Sequence, residues 1–496
     1  MDDVLSFLIT IGSPALAAYS LQITHLNARW ITMEFLDVEY PNSKSISTVL
    51  SAFHHVPIQI SHRPPLLHSL IVLHENDQFW SHLLGAAKKT RRWSIPLAIN
   101  FILVIFAVLL TTFNAMYSPS PGDIGYAIAA TWTFLLPLII GWLRVGCEPE
   151  PNHLRDSLTA ANQNVWVATG QRGQPVDHPL AIEFMNAGDV DLARRDELRT
   201  SPVFNYSRAF VSPLAAELVL GLAKNAAANA EQRIPVDRST PAWVEDERNT
   251  IPAGNRIGTD REVTEYCTRV LPRPELNSSS ATQPDVQPPE ANRAPSPLLP
   301  LHDPYLVIQN PSRWATGIWK RVVISAVLAV GLQWGTVGAA VLINYVAPPA
   351  GLGCRALSFL LYCAAGTVSF FLFLASSVLA HMSRPFQTQG YEGDRMWLRD
   401  CQMAGAIICR WLGKFVAILS AAGILVVCFF QVTGAFDNCF CSSTTFNKGR
   451  NSVVFQTLNY VIVPYISRVW IGGFAMTFLT AALFSFSIYL GTPPRR

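Results

Sequence analysis

Residues 322–346 read VVISAVLAVGLQWGTVGAAVLINYV, with no Asp, Glu, Lys, Arg or His among them. About 20 mostly apolar residues suffice for a helix to cross a bilayer. This run is longer, and it is apolar on every face. A core helix of a globular domain keeps a polar stripe instead. Six more stretches read the same way, at 4–23, 94–113, 124–143, 357–380, 415–436 and 469–490. The pattern predicts an all-α integral membrane protein with seven transmembrane helices. Composition agrees. Half of the 496 residues are hydrophobic, 14% are charged and mean hydropathy is +0.26. Soluble domains carry about 25% charged residues. These values exclude an ordinary cytosolic enzyme and a disordered chain. A net charge of +3 gives no argument for nucleic acid, and nine cysteines are too few for a disulfide scaffold.

The first stretch contains Gly12-Ser13-Pro14, which predicts a kink. Ala15-Leu16-Ala17 has the form of a signal-peptidase site, but Met1-Asp2-Asp3 supplies no basic region before it. A retained helix is expected.

Lys and Arg beside the spans mark the cytoplasmic side. Arg29, Lys88, Lys89, Arg91, Arg92, Arg144, Arg313, Lys320, Arg321, Arg384, Arg395, Arg399, Arg410, Lys414, Arg495 and Arg496 all fall on one side if the N-terminus is outside and the C-terminus cytosolic. Only Arg355, Lys448, Arg450 and Arg468 fall opposite. Residues 1–144 then hold spans one to three with a cytosolic segment at 24–93. Residues 145–321 form a large cytosolic loop, and 322–496 hold spans four to seven. The sequons at Asn205 and Asn277 lie in that loop and should stay unglycosylated.

The stretch 146–312 carries 22 acidic against 15 basic residues, an acidic surface suited to a cytosolic protein partner. Helical spacing of Leu154, Leu158, Ala161 and Val165 predicts a helix ending at Gly170. Ser212-Pro213 reads as an N-cap and first turn, with Leu214, Leu218 and Leu222 as its stripe. Thr259-Asp260-Arg261-Glu262 reads as a capping box. Residues 272–304 contain nine prolines and read as a disordered linker. No apolar alternation suggests a sheet. In the first cytosolic segment, Leu70, Leu73, Phe79, Trp80, Leu83 and Leu84 suggest an amphipathic helix lying on the membrane surface.

Chemical motifs are sparse. Six histidines gather at His54, His55, His62, His68, His74 and His82, but their spacing forms no metal box. Neither Gly-x-Ser-x-Gly nor a phosphate-binding loop occurs. No cofactor is implied. The polar residues inside spans include Asn100, Gln333, Asn344 and Gln431. Hydrogen bonds between helices explain them better than a substrate path does. Gly331, Gly335 and Gly338 on span four suit close helix packing. Cys354, Cys439 and Cys441 fall on the outer, oxidising side, so a bridge from Cys354 to either of the other two is expected.

Several strings stand out together: Gly12-Ser13-Pro14-Ala15-Leu16-Ala17-Ala18-Tyr19-Ser20, His74-Glu75-Asn76-Asp77, Pro202-Val203-Phe204-Asn205-Tyr206, Gln333-Trp334-Gly335-Thr336-Val337-Gly338-Ala339-Ala340, Leu352-Gly353-Cys354-Arg355 and Cys439-Phe440-Cys441. With them, most of the chain resembles a family of uncharacterised multi-pass membrane proteins of filamentous fungi. The resemblance implies a fold and a source, and no activity or site residue.

The functional expectation is a non-enzymatic scaffold or sensor in the plasma membrane or a secretory pathway membrane. A facilitator for a small neutral solute, or a membrane enzyme acting on a lipid or terpenoid, are the alternatives. A continuous polar path would favour the former, and converging histidines the latter.

Overall fold

The computed structural model describes residues 2–52, 54, 58–60, 64–87, 102, 105, 106, 130–145, 151–171, 175–177, 182–184, 190–239, 243–245, 251–271, 314–346, 351–384, 396–433, 435–437, 441 and 462–491. The chain is mostly helical. Four helices are long and apolar enough to cross a membrane, or up to six if each of two bent pairs counts as one span. Spans four to seven of the sequence correspond to α10 (Ile318–Val346), α11 (Cys354–Met382), α12 (Met396–Val432) and α13 (Ile462–Gly491). The α12 helix begins well before the expected 415 and carries Arg410 and Lys414 within it. Span two lies almost wholly outside the described residues, as does the proline-rich linker at 272–304. Of span three, the described part includes α6 (Leu135–Val145).

The first span is two helices, α1 (Asp2–Gly12) and α2 (Pro14–Glu34), meeting at 104°. Pro14 starts α2 with no N–H to give. The backbone groups freed at the break find side-chain partners on other helices, as a low-dielectric interior demands. Gln333 Oε1 accepts from Ala15 N–H at 2.9 Å, Tyr362 Oη donates to the Ile11 carbonyl at 2.6 Å, and Ser13 Oγ donates to the Gly366 carbonyl at 2.8 Å. Ala15, Leu16 and Ala17 are buried at the centre of the bundle. The helix continues past the expected end at 23, carrying the chain into a second folded body.

That second body is the main departure from the sequence reading. Residues 24–87 and 151–271 build one core between them. The first stretch supplies α3 (Ser43–Ala52), β1 (Ile58–Ile60), α4 (Pro64–Val72) and α5 (Asp77–Ala87). The second supplies α7 (Pro151–Asn162), β2 (Trp166–Val167), β3 (Val176–Asp177), β4 (Ile182–Phe184), α8 (Val211–Glu231) and α9 (Asp260–Thr268). Leu70, Leu73, Phe79, Trp80 and Leu83 are buried in this core, not laid on a membrane. Their stretch is two helices, interrupted by a 3-10 turn at His74–Asn76. Asn76 donates to the carbonyls of Ser69 (2.8 Å) and Trp166 (2.9 Å) and accepts from Trp166 N–H, tying the two stretches together.

Two small antiparallel ladders were not foreseen. β1 pairs with β4 (Ile58 opposite Phe184) and β2 with β3 (Trp166 opposite Asp177). Strands of two or three residues are too short to show alternation. The β2 strand also explains why α7 stops at Asn162 instead of Gly170, although Leu158, Ala161 and Val165 are buried as expected. The α8 helix starts at Val211 with Phe210 at its N-cap, so Ser212 is not the cap. Its buried face runs through Ala216, Val219, Leu220, Ala223 and Ala226 and includes Leu222 of the expected stripe, with Leu218 packed at its edge and Leu214 outside it. The Thr259–Glu262 capping box is present in both directions.

Candidate functional site

The segment Val190–Phe210 belongs to the large loop by sequence, yet Val203, Phe204, Tyr206, Ala209 and Phe210 pack into the bundle core. Two 3-10 turns, Leu192–Leu198 and Pro202–Arg208, shape it. Ser201-Pro202 opens the second turn, where proline's missing N–H costs nothing. The turns aim two adjacent carboxylates inward. Asp196 is 2% exposed and Glu197 3%.

Burying two carboxylates is costly unless each is paired and hydrogen-bonded. Both are. Asp196 accepts from Tyr206 Oη at 2.6 Å and from Lys414 Nζ at 2.5 Å, with Arg199 Nε 3.6 Å away. Glu197 takes Arg384 Nη2 on its two oxygens at 2.6 and 2.8 Å, and Arg194 Nη2 at 3.1 Å. Burial holds the Arg384 guanidinium below its ordinary value, against the opposing pull of Glu197. Beside them the buried Arg208 donates to the carbonyls of Glu197 (2.7 Å), Arg199 (2.8 Å) and His54 (3.1 Å). One cluster thus joins the C-terminal end of α11 and the middle of α12 to the Val190–Phe210 segment.

A second joint lies nearby. Asn27 on α2 donates to the Ala209 carbonyl (3.1 Å) and accepts from Arg321 Nε on α10 (2.8 Å). The Arg321 guanidinium stacks over Trp30, 4.5 Å from the ring centre.

The residues expected from sequence do not converge into one place. Gln333 spends its amide on Ala15 N–H, the Cys363 carbonyl (2.7 Å) and Thr367 Oγ1 (3.0 Å). Asn344, about 16 Å further along the same helix, donates to the Ala340 carbonyl of its own turn at 2.8 Å. Gln431 sits near the end of α12, and Asn100 lies outside the described residues. Of the small residues, Gly335 meets Thr480 on α13 and Gly338 lies near Met476, but an added Cβ at Gly331 would meet nothing within 4 Å among the described residues. Cys354 bridges to Cys441, with Cα atoms 5.4 Å apart, while Cys439 lies outside the described residues. Among the described residues, no group of three or more His, Cys, Asp or Glu could hold a metal.

Sequence reasoning missed the ionic cluster. It treated Arg384, Arg410 and Lys414 only as markers of topology. Two signals pointed further. Arg410 and Lys414 are four apart, on one helix face. The run Arg194-Arg195-Asp196-Glu197-Leu198-Arg199 also sets two acids among bases. No protein family, curated protein or solved structure matches this chain.

Proposed function

We propose that this is an integral membrane protein serving as a non-enzymatic scaffold or sensor. Its second body faces the cytosol and is mechanically coupled to the spanning helices. The N-terminus is outside, the C-terminus cytosolic, and the membrane is the plasma membrane or one of the secretory pathway. The carrying observation is the buried cluster around Asp196 and Glu197. Ionic contacts of this kind transmit a displacement on either side, because separating them leaves uncompensated buried charge. The acidic 146–312 region then offers the surface for a cytosolic protein partner. The bonds of Gln333 to Ala15, Cys363 and Thr367 support a packing role for that amide, and the likeness to a fungal membrane family adds no activity.

Hydrogen exchange on the reconstituted protein tests the coupling. In Asp196→Asn and Glu197→Gln variants, amides at the C-terminal end of α11 and around Lys414 in the middle of α12 should exchange faster together with those of 190–210. Loosening confined to 190–210, with both helix regions unchanged, would refute it. Glycosylation of Asn205 in the native protein would invert the orientation.

A further inference from the structure

Arg410 lies against the ionic cluster and is 4% exposed. Its Nε and Nη1 have no hydrogen-bond partner among the described residues. Arg410 lines a cavity with room for about one water-sized particle, shared with Arg194, Asp196, Glu197, Tyr206, Ser376 and Ser377. The hydroxyl protons around it are already spent. Ser376 donates to the Ala406 carbonyl (2.8 Å), Ser377 to the Tyr206 carbonyl (2.9 Å) and Tyr206 to Asp196. Ser207 donates to the Phe204 carbonyl (2.7 Å) and Arg194, also in the wall, turns Nε and Nη2 to Glu197, which leaves Nε and Nη1 of Arg410 as the fully buried donors without a partner among the described residues.

The charges do not balance. Arg194, Arg199, Arg208, Arg384, Arg410 and Lys414 stand against Asp196, Glu197 and, at Arg384, Asp191: six cations and three carboxylates, an excess of three positive charges among the described residues. Arg410 and Lys414 are also like charges one helical turn apart. A buried cation without a counter-charge is among the costliest features a fold can carry. One water would satisfy the Arg410 N–H groups and leave the excess charge in place. An anion of similar size answers both.

We propose that this cavity binds a halide-sized inorganic anion, chloride in the cell, on Nε and Nη1 of Arg410. The space is too small for a whole phosphate group. The site is a further function, independent of whether the second body scaffolds a partner.

The test uses the full chain purified in detergent. Its thermal unfolding is followed in sodium chloride, bromide, phosphate and gluconate at equal ionic strength, and in nanodiscs with and without phosphatidylserine. Chloride and bromide should raise the midpoint saturably, by about 2–4 °C over gluconate. Arg410→Gln should abolish that rise, and Arg261→Gln, on the exposed face of α9, should retain it. Equal midpoints in chloride and gluconate would overturn the proposal and leave a water in the cavity. Stabilisation by phosphate or anionic lipid alone, or a chloride response that survives Arg410→Gln, would overturn it as well. Should Arg410→Gln fail to fold, crystals of the unaltered protein grown in bromide decide the matter. An anomalous peak beside Arg410 supports the site, and its absence refutes it.

Discussion

Arg256 and Asp77 stand 179 residues apart and meet as a two-pronged ion pair, at 2.8 and 2.7 Å. Two further guanidinium N–H groups donate to the carbonyls of Val72 (2.8 Å) and Leu73 (3.2 Å). Burial works against this cation, but Asp77 and Tyr40 outweigh it and its value is raised. Arg256→Ala should therefore destabilise the second body by about 3 kcal/mol, near the lower end for breaking a buried pair because Asp77 is half-exposed. Urea unfolding followed by tryptophan fluorescence measures it, and a loss under about 1 kcal/mol would contradict the assignment. Cysteines divide just as sharply. Burial pushes the Cys267 thiol well above its ordinary range, whereas Cys401 is exposed. Maleimide at neutral pH should label Cys401 within minutes and reach Cys267 only in denaturant. The sign of the pH effect follows. The unfolded chain loses the Cys267 proton first, so its share of stability is complete below about pH 8.5 and declines at more alkaline pH.

Among the elements, the α1–α2 break shows a local sequence signal completed by distant partners. Gly12-Ser13-Pro14 announces the bend, but Gln333, Tyr362 and Gly366 make it tolerable. At Gly12 an added Cβ would run into the Ala417 carbonyl. The α10 glycines yield a sharper contrast. A Cβ at Gly335 collides with Thr480, a branched side chain with little room to turn, while at Gly331 it meets open space. Gly335→Ala should cost about 1–3 kcal/mol through forced repacking, and Gly331→Ala should be neutral or slightly stabilising as helix propensity improves. Thermal melts of the two variants in detergent separate the cases. Equal effects would mean that α10 and α13 pack in another register.

For the molecule as a whole, two covalent and topological facts matter most. The Cys354–Cys441 bridge closes a separation of 87 residues between the start of α11 and the chain after α12. In the chain-entropy model such a loop contributes about 4–5 kcal/mol. Cys354→Ser, or reduction with dithiothreitol, should lower the melting midpoint, and an unchanged midpoint under full reduction would show that the bridge adds no stability. The second body is also built from two stretches of chain separated by the residues between α5 and α7. Its contacts are therefore non-local.

The apolar runs that become α10, α11, α12 and α13 were legible from sequence alone, as were the bend at Pro14, the capping box at Thr259 and the candidate cysteines. Each is a local property. A helix in lipid satisfies its own backbone, a cap reaches three residues and proline acts on its own turn. The tertiary structure alone decided that 24–87 and 151–271 share a core, that Phe79 and Trp80 lie in that core rather than on a membrane, and that Gly335 packs while Gly331 does not. It also decided that Asp196, Glu197, Arg384, Arg410 and Lys414 meet. These outcomes depend on which distant surfaces bury one another. A charged residue beside a span looks the same in sequence whether it faces water or closes a buried ion pair.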